Sequence, residues 1–249
     1  MEKGYWYIRT YKAGQVAEKI KYWVSASTPS AAKKKLKSDI NKQRHNETAT
    51  IRNVARLINA NFGSGDIFLG LDYSDEGFRK ISDSQGENAS AEQIYFAAEH
   101  LMKLCIRRVL REAQKRGVEV KYIATTSDMA GKTKEPVRVH HHLIINKEAL
   151  FLFQEKWTLG GVSFEPLSRQ KDYTPIAEYI IKQVRKIDNA KKFVSSQNLL
   201  RPVPVDRRAK SGAELRTPAR CLLLSRSEFK PERPQYIRFL LPDEDVMKE

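Results

Sequence analysis

Residues 119–126 and 137–146 are rich in β-branched and aromatic side chains, and the Gly/Lys-rich loop 128–136 joins them. Two such runs around a short polar loop predict an antiparallel hairpin. Strand-like and helix-like stretches intermix along the rest of the chain without βαβ repetition, which predicts an α+β fold with a central antiparallel sheet flanked by helices. Tyr5 to Tyr11 and residues 19–25 predict a further hairpin around Ala13-Gly14. Thr28-Pro29 opens a basic helix with a break near His45-Asn46, and a second helical stretch covers 48–61. Residues 66–73 read as a buried strand and the polar run 74–90 as a loop. Ser90 and Gln93 form a capping box for a helix that runs to Arg116 and stops at Gly117. A short helix at 147–156, a strand at 161–167 and a helix from Thr174 to about Asp188 follow. Prolines punctuate short apolar pieces beyond residue 201. The expected division is one domain over 1–205 and a Pro-rich appendage without its own core over 206–249.

Forty-five basic and 30 acidic residues leave a net charge of +15. Such a surplus bears on partners, and polyphosphate is the partner it favours, because each Lys or Arg set against a phosphate releases a condensed counterion. Arg107, Arg108, Arg138 and Lys186 are candidate DNA contacts. The alternative is a set of solvated helix faces. No apolar run approaches the roughly 20 residues of a membrane span, and the first residues are no secretory signal. A membrane partner is therefore not expected. Two widely separated cysteines, Cys105 and Cys221, read as reduced thiols of a cytoplasmic protein.

The segment Arg138-Val139-His140-His141-His142-Leu143-Ile144-Ile145 carries three of the five histidines. On a strand, His140 and His142 share one face, about 7 Å apart by Cα, and His141 points to the other. Two imidazoles so placed can converge on one cation; the alternative is a polar strand end with satisfied histidines. A carboxylate third ligand would suit Mg²⁺ or Mn²⁺. Asp128, at the end of the partner strand, is the nearest candidate, with Glu135 across the loop and Asp72 on the other buried strand as further ones.

The helix after Thr174-Pro175 places Ile176, Ala177, Ile180, Ile181, Val184 and Ile187 on one arc. Tyr179 falls about 120° from the centre of that arc on an ideal wheel. It shares its stripe with Lys182, Gln183 and Lys186. An aromatic residue set among ammonium groups outside the core is a candidate nucleophile; a cation about 4 Å away favours phenolate by up to about 4 kcal/mol at an effective dielectric of about 20. The alternative is a boundary tyrosine with its hydroxyl in water.

These elements, in this order, resemble the HUH endonucleases, in particular the rolling-circle replication initiators of phages and plasmids. Phe68-Leu69-Gly70-Leu71-Asp72-Tyr73 is similar to the first motif of that family, His140-His141-His142 to its histidine motif, and Tyr179-Ile180-Ile181-Lys182 to its nucleophile motif. Ser195 to Pro202 and Asn61 to Asp66 are similar to two shorter stretches, so the resemblance spans roughly 50–205. Gly70 stands where the family usually has Thr.

The resemblance implies a ferredoxin- or RRM-like sheet and metal-dependent nicking and rejoining of single-stranded DNA at an origin, through a 5′-phosphotyrosine. It implies Tyr179 as nucleophile, Lys182 as its helper, and His140, His142 and Asp128 around Mg²⁺ or Mn²⁺. A host helicase or replisome in a bacterial cytoplasm is a further candidate partner. A conjugative relaxase or single-tyrosine transposase would use the same chemistry, and a non-catalytic RRM-like binding protein is the alternative from another class.

Overall fold

The computed structural model describes residues 4–25, 39–86, 88–131, 133, 135–185, 191–230 and 233–243, with only the backbone for 39–45. In chain order the elements are β1 (Gly4–Ala13), β2 (Val16–Ser25), α1 (Asp39–Asn61), β3 (Ile67–Leu71), α2 (Asp75–Gln85), α3 (Ala91–Arg116), β4 (Tyr122–Met129) and β5 (Pro136–Ile145). After them come α4 (Leu150–Lys156), β6 (Val162–Pro166), α5 (Thr174–Lys182), β7 (Val194–Ser195), β8 (Val205–Arg208), β9 (Leu222–Arg226) and β10 (Gln235–Leu240). The fold is α+β with two five-stranded antiparallel sheets, and among the described residues no helix is long and apolar enough to cross a membrane.

The chain divides into two compact units. A terminal unit takes Met1–Asn61, Lys171–Thr174 and Leu200–Glu249, and a central unit takes Phe62–Gln170 and Pro175–Leu199. This corrects the expected boundary at 205/206. The C-terminal segment is no appendage: β8, β10 and β9 join the N-terminal hairpin in one sheet of order β8-β1-β2-β10-β9. That sheet has its own small core of Ala17, Leu215, Ile237 and Phe239. Of the prolines that suggested an appendage, Pro218 and Pro234 lie between these strands, and Pro202, Pro204 and Pro242 flank them. The starting point of the first basic helix at Thr28-Pro29 and the DNA contact assigned to Lys186 lie outside the described residues. Where α1 is described, it passes through His45-Asn46 without a break.

The central unit is built on the sheet β6-β3-β5-β4-β7. Period-2 alternation decides its two faces. Ile67, Leu69 and Leu71 of β3, with Val139, Leu143 and Ile145 of β5, pack against Met102, Cys105, Ile106 and Val109 of α3 and against Leu152 and Phe153 of α4. Phe68 and Gly70 of β3 and His140 and His142 of β5 point the other way. Helix α3 starts at the capping box of Ser90 and Gln93 and ends at Gly117, whose φ of 65° is the left-handed conformation that glycine adopts without strain.

Two expectations need correction. Residues 75–85 form helix α2 and not a loop: Ser74 caps it by accepting from the Gly77 N–H, and Gly77 and Ile81 are its buried residues. Helix α5 ends at Lys182, about six residues early.

The loop after α4 is held against the end of β3. Trp157 Nε1–H donates to the Asp72 carbonyl at 3.0 Å, and the Asp72 and Ser74 N–H groups donate to the carbonyls of Gly161 and Leu159, both at 3.0 Å. A Cβ at Gly160 would overlap the backbone of Asp72, Tyr73 and Ser74. Gly160→Ala is therefore expected to destabilise the protein by about 1–3 kcal/mol, read as a lower midpoint in thermal melting.

Candidate active site

Strand β5 lies between β3 and β4, so its outward histidines have a neighbour on each side. His142 is opposite Gly70 on β3 and Thr125 on β4, and His140 is opposite Ser127. The two rings meet edge to face, with centroids 4.8 Å apart, and their Nε2 atoms are 3.2 Å apart. His140 Nδ1 is 3.0 Å from the Arg138 carbonyl. Donation of Nδ1–H to that carbonyl leaves the Nε2 lone pair free, the usual way a ligating histidine is oriented. Burial, with His140 next to it, pushes the pKa of His142 down to about 4. His142 is thus neutral near pH 7, the form that binds metal. Its Nδ1 is buried without a well-formed hydrogen bond, although Gln183 beside it weakly favours the charged ring.

His141 points into the core, as its parity requires. It is fully buried, with Nε2 2.8 Å from the Tyr73 hydroxyl and Nδ1 3.0 Å from the Thr126 hydroxyl. Burial above all pushes its pKa down to about 3.

Helix α5 lies over the outward face. Ala177, Ile180 and Ile181 are buried, and Tyr179 is 47% exposed, as its place outside the apolar arc requires. The Tyr179 ring is 5.6 Å from the His142 ring and 6.0 Å from that of Phe68, which itself stacks on His142 at 5.4 Å. Ser127 Oγ donates to the Gln183 carbonyl at 2.7 Å and fixes the end of α5 to β4. A Cβ at Gly131 would come within 3.1 Å of the Tyr179 ring, so the β4–β5 loop also confines it. His140, His142 and Tyr179 line one cleft of about 670 Å³, together with Phe68, Gly70, Asp72 and Phe164.

The other expected site residues are placed differently. Asp128 does not line the cleft; its Oδ2 is 2.5 Å from an Arg185 nitrogen and its Oδ1 is buried without a hydrogen-bond partner. The carboxylates that line the cleft are Asp72 and Glu165, the latter opposite Phe68 on β6. Lys182 lies 3.1 Å from Glu178 in an i,i+4 ion pair and does not line the cleft. Arg138 pairs with Asp75 at 2.8 Å and donates to the Tyr73 carbonyl at 3.3 Å. Arg107 and Arg108 are exposed on α3, which covers the opposite face of the sheet from the cleft. Sequence reasoning missed Glu165 and the cleft role of Phe68. The alternation of 68, 70 and 72 on β3 was the available signal for the latter.

Two imidazole nitrogens and a carboxylate suit a divalent cation such as Mn²⁺ or Mg²⁺. Ligands at right angles and about 2.1 Å from one ion lie about 3.0 Å apart, close to the observed Nε2 separation. Among the described residues no group of three His, Cys, Asp or Glu side chains is close enough to hold a metal ion, so the assembled donors are the two imidazoles. No protein-family model, curated protein or solved structure matches the chain.

Asp72 and Asp128 are separable by experiment. Asp72→Asn is expected to raise the Mn²⁺ concentration that half-fills the cleft by about 10-fold or more. Asp128→Asn is expected to leave that concentration unchanged and to lower the melting temperature, because Arg185 loses its partner. Metal titrations and melts on both variants check this.

Proposed function

We propose that the central unit nicks and rejoins single-stranded DNA by transesterification through Tyr179, as a rolling-circle replication initiator does. One observation carries the reading: the Tyr179 ring stands 5.6 Å from His142, in the cleft that holds the 3.2 Å Nε2 pair. The resemblance of four short motifs in order and the +15 charge support it further.

In this reading His140 and His142 would hold Mg²⁺ or Mn²⁺. The bound ion supplies Lewis-acid polarisation of a phosphoryl oxygen and neutralises developing charge. Tyr179 Oη attacks phosphorus and loses its proton to water, which reaches the half-exposed ring. The bond from phosphorus to the 3′ oxygen breaks, and that oxygen takes up a proton. The products are a 5′-phosphotyrosine and a free 3′ hydroxyl. One phosphoester replaces another, so attack by a 3′ hydroxyl restores the strand without a nucleotide cofactor. Phe68 lines the cleft with aromatic surface suited to an unpaired base. Lys182 adds positive potential on the helix face of the nucleophile and must leave Glu178 to touch the phosphate directly.

The test is incubation of the full chain with a randomised single-stranded DNA library and Mn²⁺. A denaturant-resistant adduct that maps to Tyr179 and disappears in EDTA is the expected result. Absence of any adduct, or its attachment elsewhere, overturns the reading. The +15 charge by itself also supports a second reading, a non-catalytic nucleic-acid-binding protein, which gives salt-sensitive binding and no adduct.

A further inference from the structure

The terminal unit carries a second feature, on its own sheet and built from residues outside the cleft. Where β1, β2 and β8 meet, a pocket of about 550 Å³ is lined by Gly4, Tyr5, Trp6, Trp23, Arg208 and Lys210, along with Ala209. Three of these are aromatic, two are cationic and none is acidic. Trp6 and Trp23 are directly opposed across β1 and β2, edge to face, with centroids 5.3 Å apart. Tyr5 and Trp23 are each 43% exposed. By the strand register Trp6 and Trp23 share one face of the sheet, and the exposed Lys210 is the cation that lines the pocket with them; Tyr5 and Arg208, whose guanidinium lies 3.6 Å from the Tyr5 ring centroid, are on the other face. A Cβ at Gly4 would come within 2.5 Å of the Trp23 ring, so this glycine is what allows the indole to lie across the strand.

Exposed rings held in place beside cations are the chemistry of single-strand recognition: a base stacks on an aromatic face while its phosphate meets an ammonium or guanidinium. Bases in a duplex are already stacked on one another and cannot use the rings in this way. We propose that this pocket binds an unpaired nucleobase and its adjoining phosphate in single-stranded DNA, as a site additional to the Tyr179 cleft. The stacking site rests on its own geometry; the choice of DNA rests on the function proposed above.

The test separates the two. Full chain carrying Tyr179→Phe, in EDTA, is titrated with fluorescein-labelled (dT)15, the matching duplex and (U)15. Tight (dT)15 binding with quenching of tryptophan emission is expected, since Trp157, the remaining tryptophan, is buried. Trp23→Ala and Lys210→Ala are each expected to weaken (dT)15 binding by about 10-fold, with duplex binding unchanged. Lys210→Ala should also flatten the dependence on log salt by about 0.7. Unchanged affinity in both variants, equal loss for duplex and single strand, or preference for RNA overturns the proposal. Should Trp23→Ala fail to fold, absence of quenching in the parent overturns it alone. Failure of the nicking reaction shows instead in the chain with Tyr179 intact, as a missing adduct.

Discussion

Tyr179→Phe is expected to abolish covalent attachment to single-stranded DNA, a fall of at least about 10³-fold in adduct yield. The substitution removes one hydroxyl and keeps the ring that touches Phe68 and His142. The residue is half-exposed, so no buried polar partner is stranded and stability should change by no more than about 0.5 kcal/mol. Loss of adduct with an unaltered melting temperature would thus report on chemistry and not on folding. Labelled oligonucleotide followed on denaturing gels, alongside thermal melts, measures both. An adduct that persists in this variant would remove Tyr179 as the nucleophile.

His141→Ala is expected to have the largest effect on stability, about 3–5 kcal/mol. It opens a cavity under the sheet and leaves the hydroxyls of Tyr73 and Thr126 without the imidazole each now faces. It also removes edge-to-face ring contacts with Tyr73 at 5.5 Å and Trp157 at 5.7 Å. His140→Ala, one residue away on the outward face, should cost about 1 kcal/mol or less and instead abolish metal-dependent attachment. Chemical denaturation of the two variants compares them directly. Equal stability losses would contradict the division of roles between the two sheet faces.

The α+β class, the histidine hairpin, both caps of α3 and the exposure of Tyr179 could be read from the sequence because each follows from local periodicity or from one capping residue. The rest required knowledge of distant partners. Helix α2 was missed because a single turn of buried face, Gly77 and Ile81, is masked by serines and charges. Asp128 drew attention by its nearness in sequence to the hairpin loop, but the β4–β5 register shifts between Ser127 and Met129, and the alternation that places His140 and His142 does not extend to it. Asp72 lies on a strand joined to the histidines only through long-range pairing. The terminal sheet was missed for a related reason: nothing local in Gln235–Leu240 announces that its partner is Lys21 to Val16.

That pairing bears on how the protein is made. On the ribosome, β1 and β2 emerge first, yet the neighbour of β2 in the finished sheet is β10, some 210 residues later. The central unit has all its strands by residue 195, so it can close while the hairpin still waits with an open edge. Contacts so far apart in sequence slow folding, and an unpaired edge invites association with other chains. Nascent chains arrested before residue 235 should accordingly give a protease-resistant central unit alongside a cleavable N-terminal hairpin.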